Sequence, residues 1–141
     1  MTNNLNKLFL ICLMMVCTTT VFAQNKFNPA QFSAERQKYI TEEAGLTQQE
    51  AAKFFPLYNE MMEKMRAIHK KLNNLKKTKP TTEAACRQAI VQRDAFEVHM
   101  KEIERTYHVK FLQVISASKL YDVLNAEGKF YKNAFKKTAK K

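Results

Sequence analysis

Beyond its first two dozen residues, the chain places apolar side chains at steps of three and four, and strand-type alternation is absent. That spacing predicts helices throughout. The most regular stripe is Ala51, Phe54, Tyr58, Met61, Met65, Ile68, Leu72 and Leu75, with steps of three and four in unbroken alternation. A heptad stripe of this kind turns one face of a long helix toward a helical partner. A second stripe supplies that partner: Cys86, Ala89, Arg93, Phe96, Met100, Ile103, Tyr107, Phe111 and Val114. Arg93 is its one polar member, and its stem can lie along apolar surface. A shorter, narrower stripe carries Phe32, Arg36, Tyr39, Ile40 and Glu43, and a last one Leu120, Val123, Leu124, Phe130 and Phe135.

Local signals mark where these helices begin and end. Asn28 is a suitable N-cap, and Pro29 suits the first helical position because its missing N–H would have no partner there. The first helix runs to about Ala44, and Gly45 fits the left-handed residue that closes helices. Thr47 opens the second, with Glu50 three residues on and Leu46 just before, the pattern of a capping box. The stretch Lys76–Pro80 ends it with cationic residues and a proline. Thr81 or Thr82 caps the third helix and Ser116 the fourth, which Gly128 weakens by about 1 kcal/mol; the tail from Lys136 frays. Pro56 falls well inside the second helix, where it removes a backbone hydrogen bond and crowds the Ala52 carbonyl, so a kink is expected. The expected fold is all-α: four helices built around a long antiparallel helical hairpin with one kinked arm. Each arm spans roughly 40–50 Å at 1.5 Å per residue, too long for the remaining helices to cover both faces.

Composition then narrows the setting. Residues 1–23 read as a cleaved signal peptide: Lys7, a short apolar run from Leu8 to Val16, and small or tolerated residues up to Ala23. The apolar run is too short to span a bilayer, so no stable membrane insertion is expected after cleavage. The mature domain, 24–141, is one small domain with a modest core. The signal takes one lysine and no acid, so the formal charge of +11 becomes +10. Cys12 and Cys17 leave with it, and Cys86 alone cannot form an intrachain disulfide; on its stripe it reads as a small buried hydrophobe. Export argues against nucleic acid as the partner of the positive charge, and acidic polypeptides are better candidates.

The stretch Leu46, Thr47, Gln48, Gln49, Glu50, on an exported, basic, all-α chain of this size, resembles the LTxxQ motif of the Spy/CpxP family of periplasmic proteins. Glu50 stands where the family has Gln. A second copy of the motif is expected near the last helix; here Ile115 and Ser116 keep the apolar-plus-cap pair, but Lys119 cannot act as the reciprocal cap. The resemblance implies a cradle-shaped homodimer in the periplasm. It also implies a role as an ATP-independent chaperone in envelope stress, as an accessory regulator docking on a sensor kinase's external domain, or as a metal-responsive sensor.

No constellation for catalysis stands out, so a non-enzymatic protein is expected. There is no Gly-rich loop to cradle phosphate. Client binding is expected from apolar residues outside the seam, Phe32, Tyr39, Phe55, Leu57 and Met62. They would combine with the basic residues Lys64, Arg66, Lys70, Lys71, Arg87, Lys101 and Arg105. Methionine and aromatic side chains adapt to varied shapes, and the charge attracts acidic clients. Met62, Met65 and His69 share a helical side and would suit Cu(I) or Ag(I). The plainer reading, preferred here, makes Met61 and Met65 core and His69 solvated, with no metal and no cofactor. Glu104 and His108 are read as an exposed pair four residues apart.

Overall fold

A computed structural model of the chain describes residues 28–139. The signal segment and the last residues of the tail lie outside them. The described chain consists of four α-helices and no strand: α1 Pro29–Glu43, α2 Gln48–Lys76, α3 Glu83–Phe111 and α4 Ala117–Thr138. None of these helices is long and apolar enough to cross a membrane.

The helix starts form by local chemistry. The Asn28 side chain accepts from the backbone N–H groups of Ala30 and Gln31. Thr47 accepts from Glu50 N–H, and the Glu50 carboxylate accepts from Thr47 N–H at 2.9 Å, closing the reciprocal cap. Thr82, rather than Thr81, caps α3, and Ser116 caps α4. Gly45 takes φ 59°. It lets Leu46 N–H reach the Thr41 carbonyl and Gly45 N–H reach that of Glu42, which closes the end of α1.

α2 packs on α3 and α1 on α4. Phe54 meets Phe111 and Lys64 lies over Tyr107, so residue numbers rise along α2 as they fall along α3. The core collects where all four helices meet. Phe54, Tyr58 and Met61 of α2 join Tyr107 and Phe111 of α3, Ile40 of α1, and Leu120, Val123 and Ala126 of α4. Toward the turn at 77–82 only Ile68 and Leu72 are buried, and α3 there leaves Ile90, Val91 and Val98 about 60% exposed. Cys86, expected to be buried, is half-buried with Sγ 3.4 Å from the Pro80 carbonyl oxygen. Arg93 does not lie along the seam; it is exposed and pairs with Glu97 at 3.0 Å. The outlying members of the short stripes differ too: Glu43 and Phe135 are exposed. The reason is the same in each case. Periodicity fixes which residues share a face, and only a packed neighbour can bury that face.

Helix α2 continues through Pro56, which is exposed. α4 likewise continues through Gly128, where an added Cβ would meet nothing within 4 Å. Gly128→Ala should therefore raise stability by about 0.5–1 kcal/mol, read as a higher thermal midpoint. An unchanged or lowered midpoint would mean that the backbone there is not ordinary helix.

Lys119 does not complete the second cap. It crosses 69 positions to the first one, donating to the Glu50 carboxylate and, at 3.1 Å, to the Gly45 carbonyl. One ammonium thus ties together the end of α1, the start of α2 and the start of α4. Lys119 first, then the Thr47 backbone, holds the Glu50 carboxyl at about 2, well below its usual 4.5. A carboxyl lowered on folding stabilises the native state above its unfolded pKa, and that contribution fades as pH falls through the folded value. Wild type should therefore lose stability between about pH 4.5 and 2 faster than Glu50→Gln. Parallel curves from denaturant midpoints over that range would show that the tie carries no pH-dependent stability.

Candidate functional site

The four helices do not close on one another everywhere. Between the α1–α4 pair and the α2–α3 pair lies an open groove of about 680 Å³. Its α2 wall is Met61, Met62, Met65, Arg66 and His69, one side of a helix at steps of three and four. Facing them are Glu104 and His108 from α3, Phe32, Ser33 and Arg36 from α1, and Leu124, Glu127 and Tyr131 from α4. A second hollow of about 720 Å³ shares Met65, His69 and Glu104 with the first and continues to Val98, Met100, Lys101 and Arg105. The two hollows adjoin at these three residues, and together their linings carry thioethers, rings and charged groups.

Aromatic contacts hold α1 against α4 beside the groove. Phe32 meets Phe130 edge-on at 5.1 Å, and Tyr39 lies 5.7 Å from the same ring. Tyr58 donates its hydroxyl hydrogen to Glu127 on the groove's α4 wall. Burial first, then the nearby Glu127 charge, pushes the Tyr58 hydroxyl well above its ordinary value, so it stays protonated and keeps donating. The Arg36 guanidinium lies over the Tyr58 ring at 5.1 Å and donates to the Tyr131 hydroxyl at 2.8 Å.

No protein-family model, curated protein or solved structure matches this chain.

Of the residues singled out from sequence, Phe32, Met62 and Arg66 line this groove together with Met65 and His69, while Lys101 and Arg105 line the adjoining hollow. The others lie elsewhere. Phe55 packs edge-on against Phe54 and Tyr58, and both it and Leu57 are half-buried against the core. Tyr39 lies in a separate recess with Phe130 and Lys137. Lys64 is held by Glu60 at 3.1 Å and by the Tyr107 ring at 5.2 Å. Lys70, Lys71 and Arg87 are exposed. Glu104 does not pair with His108; its partner is Lys101 at 2.7 Å, one helical turn back. Among the described residues no group of three or more His, Cys, Asp or Glu side chains is placed to hold a metal ion.

Sequence reasoning missed Arg36, Glu127 and Tyr131 as site residues. Arg36 did carry a signal, a charge in the middle of an apolar stripe. Tyr131 carried none, because its partner is 95 positions away.

Proposed function

We propose that this protein is a periplasmic, ATP-independent chaperone of the Spy/CpxP kind that holds unfolding or aggregation-prone polypeptides. In this reading α2 and α3 are the arms of a long antiparallel hairpin bent at Pro56, and two chains form a cradle. The exposed Ile90, Val91 and Val98 on α3 support the pairing of two copies. The observation that carries the reading is the pair of adjoining open hollows whose linings carry Met61, Met62 and Met65 together with Arg66, Lys101 and Arg105. Thioethers conform to many shapes, and exposed cations hold acidic clients weakly enough for passive release. The mature protein at equimolar to several-fold excess, in low salt, should suppress aggregation of an unrelated unfolding client. No suppression under those conditions would refute the reading.

One observation favours a second reading. Met62, Met65 and His69 line one groove with Glu104 and His108, a mixture of thioether and imidazole donors suited to Cu(I) or Ag(I). Calorimetric titration with Cu(I), Ag(I), Zn(II) and Ni(II) tests it. Micromolar or tighter binding that depends on those residues would support a metal sensor or scavenger.

A further inference from the structure

Among the described residues Arg36 is the one buried charged side chain, 5% exposed, and it lines the groove. Its guanidinium donates to two hydroxyls, Tyr131 at 2.8 Å and Ser33 at 3.4 Å, and Nε has no partner among the described residues. None of the ion pairs among the described residues involves it. Two carboxylates line the same groove, Glu127, which accepts from Tyr58, and Glu104, which pairs with Lys101, and neither has a hydrogen bond or ion pair to Arg36 among the described residues. Hydroxyl oxygens and the Tyr58 ring offset only part of the cost of taking a full positive charge out of water. A guanidinium has five N–H donors in a planar fork that matches a carboxylate, and two are in use.

We infer that Arg36 is a seat for a carboxylate: the groove takes an extended, apolar polypeptide segment through one of its Asp or Glu side chains. This rests on the chaperone reading and names the kind of segment that the groove selects. Apolar side chains would lie against Met61, Met62 and Leu124 while the acid meets Arg36. A fatty acid offers the same carboxylate but fits the walls less well. Ser33, His69 and His108 break the apolar lining, and a continuous acyl chain would leave them facing hydrocarbon.

The test uses two short peptides, acetylated and amidated at their ends and rich in Phe and Leu. They differ only in one central Glu or Gln, and fluorescence anisotropy reads their binding to the mature protein. The Glu peptide should bind about tenfold more tightly, since hydrogen bonds to charged groups are worth more than neutral ones. The preference should persist at about 0.5 M NaCl, because a buried pair is screened far less than exposed lysines. In Arg36→Met the ratio of Glu-peptide to Gln-peptide affinity should fall to about one, whatever happens to the absolute affinities. Equal affinities, a preference lost in salt, or one that survives in Arg36→Met would overturn the inference. So would displacement of the peptide by laurate at lower concentration than by the Glu peptide itself. If Arg36→Met loses its helical signal, the two peptides and the salt series on the native protein decide the matter alone. Unequal fates separate the two ideas: equal peptide affinities with intact aggregation suppression remove the seat and leave the chaperone, whereas absent suppression removes the chaperone.

Discussion

Phe54→Ala should destabilise the fold by about 3–5 kcal/mol, the range for deleting a buried phenylalanine. Phe54 is fully buried, with its ring 4.7 Å from Phe111, 5.6 Å from Tyr58 and 5.3 Å from Phe55. These neighbours come from two helices whose backbones are fixed elsewhere by caps, so the space left behind cannot collapse fully. Natural domains hold only about 5–15 kcal/mol in total, and a small one sits toward the lower end. Much of the variant could therefore be unfolded at physiological temperature. Urea unfolding followed by circular dichroism measures this as a lower midpoint with an unchanged slope. Tyr121→Ala, at a position 68% exposed, should change stability by no more than about 0.5 kcal/mol and serves as the comparison. A loss below about 1 kcal/mol at Phe54 would place the centre of the packing elsewhere.

A paired replacement at Met62 and Met65 should have the largest effect on binding. Both line the groove and both are half-buried against the core. Glutamine keeps the length of methionine and removes its apolar end. Losing that contact at two positions should cost roughly 2 kcal/mol of client binding, about thirtyfold in affinity, at about 25 cal/mol per Å² of apolar surface. Leucine at the same two positions keeps the apolar surface and removes the sulfur. The leucine pair should suppress aggregation nearly as well as wild type, whereas the glutamine pair should fail. The soft-metal reading expects something different: both pairs should lose Cu(I) and Ag(I) binding, since neither side chain is a thioether. Aggregation and metal titrations on the same three proteins therefore separate the two readings. Equal suppression by the glutamine pair and wild type would remove the groove from client binding.

The helix boundaries were legible because their causes are local. Asn28, Thr47 with Glu50, and Ser116 each bond to backbone within three residues, and Gly45 sits where the chain must turn left-handed. Such chemistry needs no knowledge of distant neighbours. The stripe of α2 was legible for the same reason, and Phe54, Tyr58, Met61, Ile68 and Leu72 are its buried members. The stripe of α3 was legible only as a face. Its members from Cys86 to Met100 remain half-covered or exposed, because nothing in a repeat says how far its partner extends. The groove was the least legible feature. Met62 and Arg66 could be placed on one side of a helix, but the wall opposite comes from α1, α3 and α4. Lys119 shows the limit best. Read locally, it spoils a cap; read in three dimensions, it reinforces another through Glu50, 69 positions earlier.

The seam between α1 and α4 has a consequence for how the chain acquires its shape. Arg36 reaches Tyr131 across 95 positions, and Phe32 and Tyr39 both rest on Phe130. During synthesis the α2–α3 pair can zip early, since its partners are joined by a short turn, whereas α1 must wait for nearly the whole chain to emerge. A nascent chain halted before Ser116 would carry Phe32 and Tyr39 without the Phe130 ring on which they rest, and so would pass through a stage in which it is itself prone to aggregate.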